Sequence, residues 1–300
     1  MSANFMRMLQ NMAPRTNRTL EDLRNADGEL SGMDGMELRG WAYQSPTVPS
    51  RDLTDPLGKA LLAVFKDGQF NAVQKYVEAR TAELGGDGAA VRNELYDARW
   101  GPTRTTIYNV LLPALHAMPA KKHELLGVTR YLVNDVKVPV DGKDVMGCTS
   151  LYWAISTKPY VQPEFAQILF DAGGSLNSKN RFNSTVASEI AQADVNGDTA
   201  KSVDMMKFYM EHGGDVEGRD TDGMTVKMLV EMMREKVPGM AEVIGRGRGP
   251  RAEGDCTTCG RSPTGENKVS ACGKCKTARY CSQECQRVDW KAHKRTCTAV

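Results

Sequence analysis

Seven of the chain's eight cysteines fall in its last 45 residues, and their spacing constrains the fold more than any other feature. The order is Cys256-x2-Cys259, twelve residues, Cys272-x2-Cys275, five residues, Cys281-x3-Cys285, seven residues, His293-x3-Cys297. Seven thiols and one imidazole are eight ligands, enough for two tetrahedral zinc sites. A CxxC knuckle suits zinc because its tight turn aims two sulfurs at one ion while backbone amides bond to them. His293 and Cys297 are four apart, so on a helix they share a face. With every position of each ion filled by protein, the two zincs are expected to be structural. A disulfide scaffold is disfavoured: seven is an odd number to pair, and MSANFMRMLQNMAPRTNR lacks the apolar core of a secretory signal. Reduced thiols imply a cytoplasmic and/or nuclear protein. A mitochondrial transit reading stays open, because that start is rich in Met and Arg with no acid before Glu21.

The ligand order, together with Ala278-Arg279-Tyr280, Gln286, Asp289-Trp290 and His293-Lys294, resembles the MYND-type zinc finger over Cys256 to Cys297. The resemblance implies an interleaved arrangement, with Cys256, Cys259, Cys281 and Cys285 holding one zinc and Cys272, Cys275, His293 and Cys297 the other. It also implies a protein-interaction module that binds short proline-rich peptides in a groove lined by a Gln and a Trp, which here are Gln286 and Trp290. These two are four apart and so share a helical face. An exposed Trp offers a flat surface for a polyproline-type ligand, and a Trp that covers the zinc core is the other reading. After the third cysteine the family often has a small hydroxyl residue; this chain has Gly273, which puts the peptide specificity in doubt.

Between Cys256 and Cys297 there are nine Lys and Arg against three acids. Seven thiolates on two divalent ions would leave three negative charges, so the folded finger carries only about +3. Its basic excess largely offsets its own metal clusters, and nucleic-acid binding is disfavoured. The whole chain, at a formal +2, has no global pull toward polyanions.

Ahead of the finger the chain repeats itself. Val140-Asp141-Gly142-Lys143-Asp144 with Gly147 and Thr149 matches Val216-Glu217-Gly218-Arg219-Asp220 with Gly223 and Thr225 without a gap, 76 residues later. A degenerate copy, Leu176 to Ser184, sits between them. Phe165, Ile168 and Leu169 precede Gly173-Gly174, and Met205, Phe208 and Tyr209 precede Gly213-Gly214. Each pattern predicts an amphipathic helix stopped by glycine. Lys66 to Val77 reads as a helix-to-helix turn of an earlier copy. The unit is a hairpin-like loop followed by two helices, at a period of 35–44 residues.

Gly147-Cys148-Thr149-Ser150-Leu151-Tyr152-Trp153-Ala154 resembles the ankyrin signature, with Ser150 and Tyr152 replacing its Pro and His. The resemblance implies a mostly α protein, an ankyrin-repeat helical solenoid of four to five divergent copies over 57–244, with a concave surface for other proteins. An unrelated helical bundle is the alternative. Cys148 is expected to be a small buried residue, not a further metal ligand. His116 and His123 form no cluster, and His212 falls at a helix C-terminus. Tyr152 and Trp153 are expected to pack.

Residues 1–55 are polar with few aliphatics and are expected to be a mostly disordered arm, with Trp41 and Tyr43 docked on the first repeat. Residues 245–255 read as a flexible basic linker. No run approaches the ~18 apolar residues of a membrane helix. The composite expectation is a non-enzymatic adaptor that binds partner proteins through the ankyrin surface and the finger groove, with no small-molecule substrate. A nucleic-acid-associated transcriptional regulator is the first alternative. A methyltransferase-related protein is the second, because MYND fingers also occur in SET enzymes; no SET-like cofactor motif, phosphate loop, HExxH or nucleophile elbow is found in 1–255.

Overall fold

A computed structural model describes residues 16–45, 53–156, 161–192, 199–264 and 268–299. Residues 1–15 and 46–52 of the expected arm lie outside these, and with the former the transit-peptide reading. The chain divides into two units, residues 1–184 with 219–223, and residues 185–218 with 224–300.

The first unit is built on helices α1 (Leu20–Asn25), α2 (Gly32–Gln44), α3 (Pro56–Asp67), α4 (Asn71–Glu83), α5 (Gly88–Asp97), α6 (Ile107–Ala117), α7 (Lys122–Asn134), α8 (Ser150–Ile155) and α9 (Pro163–Asp171). Their ends follow from local chemistry. Asp55 caps α3 by accepting from the Gly58 amide at 2.9 Å, and Gly68 stops it in the left-handed conformation at φ +68°. Thr149 caps α8 by accepting from the Tyr152 amide. Helix α6 packs on α7 and on α8, α7 on α9, and α8 on α9, so inner and outer helices alternate in two layers. Helices α3 and α4 pack as the earlier pair that Lys66 to Val77 predicted.

The loops between pairs are hydrogen-bonded to one another as a ladder. Val145 donates to Thr103 O at 2.9 Å, Arg181 to Met146 O at 2.9 Å, and Thr221 to Phe182 O at 3.1 Å. Each rung is a hairpin from a successive copy, and Gly147 and Gly223 take the positive φ that the turns require. The repeating glycines and Asp144 are therefore turn chemistry. Asp144 accepts from the Met146 and Cys148 amides at 2.9 and 3.0 Å and from Trp153 Nε1 at 2.7 Å. Cys148 is buried, as expected.

The largest correction concerns the N-terminal arm. Residues 16–45, expected to be mostly disordered, form α1 and α2, with Leu23, Leu30 and Leu38 fully buried. The aliphatics are few, but the hairpin ladder receives them. Leu30 donates to Arg181 O at 2.7 Å, and its carbonyl accepts from Thr221 Oγ1 at 2.9 Å. Asp34 is buried and held by Thr16 and Arg18. Tyr43 meets Trp153 edge-on at 6.0 Å, whereas Trp41 lies under the guanidinium of Arg24.

In the second unit α10 (Val186–Ala191), α11 (Thr199–Glu211), α12 (Val226–Met232) and α13 (Pro238–Arg246) repeat the two-layer order, with α10 on α11 and α12, and α11 on α13. With the pairs α6–α7 and α8–α9, these give four helix pairs that each follow a hairpin. The finger follows, with strands β1 (Ser270–Ala271) and β2 (Arg279–Tyr280), which are antiparallel, and helix α14 (Gln283–His293). The stretch expected as a flexible linker begins inside α13. Beyond it, Arg248 pairs with Asp289 at 3.4 Å, and Arg251 donates to Glu211 O and Thr258 O. Arginine side chains tie this stretch at both of its sides, which its glycine content did not reveal.

Candidate metal centres and the finger surface

The eight ligand residues converge into two groups of four. Cys256, Cys259, Cys281 and Cys285 form one, Cys272, Cys275, His293 and Cys297 the other, and within each group all ligand atoms lie within 4.8 Å of one another. The interleaved pairing implied by the resemblance is the pairing that the structure brings together. Sulfur-to-sulfur distances are 3.5 Å for Cys259–Cys281, 3.6 Å for Cys281–Cys285 and 3.9 Å for Cys272–Cys297. Cys275 Sγ is 3.6 Å from His293 Nε2. A zinc tetrahedron with Zn–S near 2.3 Å has S–S edges of about 3.8 Å, and its S–N edges are about 3.6 Å. A disulfide would need about 2.05 Å. The donor sets and the edges thus both fit zinc, four protein ligands to each ion.

Local structure explains how so short a segment places them. Ser282 caps α14 by accepting from the Cys285 amide at 3.1 Å, which fixes Cys285 in the first turn, and His293 closes the last turn. One helix therefore serves both clusters. The knuckle at Cys272 is closed by Lys276 at φ +56°, whose amide donates to Cys272 O at 3.0 Å. Amides of Cys275 and Lys274 aimed at the Cys272 sulfur pull its thiol down to about 7, which favours the thiolate that a metal needs. The Ala278 amide lowers Cys275 in the same way.

Between the clusters, buried Tyr280 donates to Asp289 Oδ2 at 2.8 Å and stands edge-on to the His293 ring at 6.1 Å. Tyr280 and Asp289 both fall among the residues that carry the family resemblance, and their spacing alone gives neither a role. The finger also sits against the end of α11. A Cβ on Gly213 would lie 3.0 Å from Cys259 Cα, and Gly213 has φ +87°. Thr258, fully buried at this contact, donates to Cys285 O at 2.7 Å. His212, expected at a helix end, stacks on Phe208 with ring centres 4.0 Å apart. His116 and His123 lie in the first unit and join neither cluster.

Gln286 and Trp290 are both exposed on α14, and with Gln283 and Arg287 they line an open concavity of about 390 Å³. Trp290 keeps 46% of its surface accessible and meets His293 at a tilted 6.1 Å. Its ring touches the edge of the second cluster without covering it. A Cβ at Gly273 would meet nothing within 4 Å, so the departure from the family there is chemical, the loss of a hydroxyl, with no steric cause.

Residues 256–297 match the family model described as the MYND finger, and this segment is a MYND finger. No curated protein matches the chain. Among solved structures, an ankyrin repeat domain from Acinetobacter baumannii AYE is similar over 77% of this chain and 97% of its own, at 16% identity and a TM-score of 0.43. An ankyrin repeat protein designated EF0377 is similar over 65% of this chain and 100% of its own, at 15% identity and a TM-score of 0.42. The helix-pair reading itself rests on the hairpin ladder and the alternating layers described above. Among the described residues no helix is long and apolar enough to cross a membrane.

Proposed function

We propose that the protein is a non-enzymatic adaptor in which the finger takes a short proline-rich peptide and the helix-pair surface holds a second partner protein. The observation that carries this is the exposed Trp290 beside Gln286, on a helix that is fixed by contributing one ligand, Cys285 and His293, to each metal cluster. A rigid aromatic on a preorganised helix costs little entropy to use, and a polyproline-type ligand is itself preordered. The zinc ions supply folding free energy to a segment with few apolar side chains, so their role is structural. Two binding sites in one chain raise each other's effective concentration when both partners belong to one assembly. Seven thiols gathered into two four-ligand sites, at sulfur separations too long for disulfides, support a cytoplasmic or nuclear setting.

The test is a proline-rich peptide array probed with the full-length, zinc-loaded chain and with Trp290→Ala. Peptides retained by the wild type and lost by at least about tenfold in the variant are expected, as for an aromatic hot spot. Equal retention by both proteins, or no retained peptide, would sink the finger half of the proposal. Gly273→Ser, which restores the family's hydroxyl at an open position, is expected to leave zinc content unchanged and to tighten or redirect the retained set.

A further inference from the structure

Six cations line a cavity of about 610 Å³ on the hairpin side of the first unit: Arg24, Arg99, Arg104, Lys143, Lys179 and Arg181. Three other cations of this unit find carboxylates, Arg18 with Asp34, Arg80 with Glu83 and Glu94, and Lys122 with Glu164, whereas Lys121 is held by backbone carbonyls and Arg39 by the Phe182 ring. Among the described residues none of the six finds a carboxylate. Each is held instead by neutral groups. Arg181 donates from Nη1 to Leu23 O at 2.8 Å and to Val145 O at 3.1 Å, and from Nε to Gly28 O at 3.1 Å. Arg24 lies 4.4 Å over the Trp41 ring, and Arg99 bonds to the Tyr96 and Ala98 carbonyls. Arg104 Nη2 meets Asn25 Oδ1 at 2.8 Å, Lys143 the Lys179 carbonyl and Lys179 the Asn183 carboxamide.

The arrangement orients the cations and leaves their charge uncompensated at contact range. Arg181 and Arg24, both half-buried, form the floor, and each keeps a buried donor with no acceptor, Nη2 and Nε respectively. Burial lowers the pKa of Arg181; Asp27 opposes that shift through space, and Arg18 and Arg104 add to it. Arg104 is also held at φ +55°, a conformation rare outside glycine. The acids of the lining divide in two. Asp144 spends both oxygens on donors of its own loop and Trp153, whereas Asp27, Glu29 and Asp97 line the cavity with exposed side chains. Exposed carboxylates repel an extended polyanion, while fixed, half-buried guanidiniums favour one compact, doubly charged group.

We propose that this cavity binds a phosphoryl group, presented by a phosphorylated partner or as free phosphate. The site is separate from the finger, so it stands whether or not Trp290 binds peptide. The experiment titrates the full, zinc-loaded chain at physiological ionic strength with inorganic phosphate, a short phosphoserine peptide, its unphosphorylated counterpart and a short oligonucleotide. The Nε–H resonances of Arg24 and Arg181 report occupancy. Saturable shifts with phosphate or phosphopeptide are expected, weakened by about fivefold or more in Arg104→Gln and in Lys143→Gln, whose exposed side chains leave the core intact. Tighter binding of the phosphopeptide than of phosphate assigns the group to a partner protein, and the reverse assigns it to the free anion. Non-saturating shifts, variants that bind like the wild type, equal binding of the unphosphorylated peptide, or tighter binding of the oligonucleotide would each overturn the assignment.

Discussion

A carbon added at Gly214 would sit 2.1 Å from the Tyr209 ring, and one at Gly174 would sit 2.7 Å from the Leu169 carbonyl. The doubled glycines thus divide their work. The first of each pair turns the chain at positive φ, 98° at Gly173 and 87° at Gly213, and the second makes room for the residue that closes the preceding helix. The turn was legible in the sequence as a helix stop. The second role was not, because it needs a tertiary neighbour. Gly214→Ala is expected to cost about 2–4 kcal/mol in denaturant unfolding, because Tyr209 is fully buried with its hydroxyl fixed to Thr185 and Asp215. Gly245→Ala, in α13 with no neighbour near, is the matched control and should be neutral or slightly stabilising. Asp144 gives a pH test. Burial outweighs its hydrogen bonds and raises its pKa from 3.8 to about 6. The folded chain then holds the proton more tightly than the unfolded chain does, so stability falls as pH rises from about 4 to 6. Wild type should gain on the order of 1–2 kcal/mol between pH 7 and pH 5 relative to Asp144→Asn, read from paired unfolding curves. A gap independent of pH would refute the raised value.

At the scale of elements, α14 is the part of the finger most fully written in the sequence. Its Gln286–Trp290 face and its ligand His293 follow from spacing, although the helix stops at His293, short of the Cys297 expected to share its face. What spacing could not give was the pair of arginines in the glycine-rich stretch before it, since Arg248 and Arg251 carry no periodic signal. Nor did it give the Tyr280–Asp289 bond, although Tyr280 and Asp289 were both legible as family residues. Tyr280→Phe removes only a hydroxyl, yet it leaves Asp289 buried with Arg248 alone. A loss of about 1 kcal/mol is expected, with two zincs still bound by metal analysis. The hairpins were legible in two copies and faint in the third, because Leu176 to Ser184 keeps the backbone bonds while losing the glycines that advertised them.

The second unit as a whole joins metal binding to repeat stability. The first cluster lies against the end of α11 through Cys259 and Thr258, and Arg251 spans the Glu211 and Thr258 carbonyls. Chelation should therefore raise amide exchange at the C-terminal turn of α11 as well as in the finger. Cys259→Ser should do this more than Cys275→Ser, for whose cluster no such approach is seen among the described residues. Equal exchange in α11 for the two variants would mean that the finger folds independently of the helices. That coupling is not legible in the sequence, where glycine and arginine over 245–255 point to a flexible basic linker and the carbonyls that Arg251 bridges are not visible. The reverse error occurred at the other end of the chain, where sparse leucines read as disorder until the hairpins that bury them were in place.

Those hairpins set an order of events during synthesis. The bond between Thr221 and the Leu30 carbonyl spans 191 residues, and the one between Arg181 and the Leu23 carbonyl spans 158. Helices α1 and α2 leave the ribosome before the surfaces that receive them, which follow more than 150 residues later. Each later helix pair finds its partner nearby in sequence and can close as it emerges, whereas closing these long loops carries the larger entropic cost. Leu23, Leu30 and Leu38 are thus made well before the hairpins that bury them, and they stay exposed until residues 181 and 221 have followed.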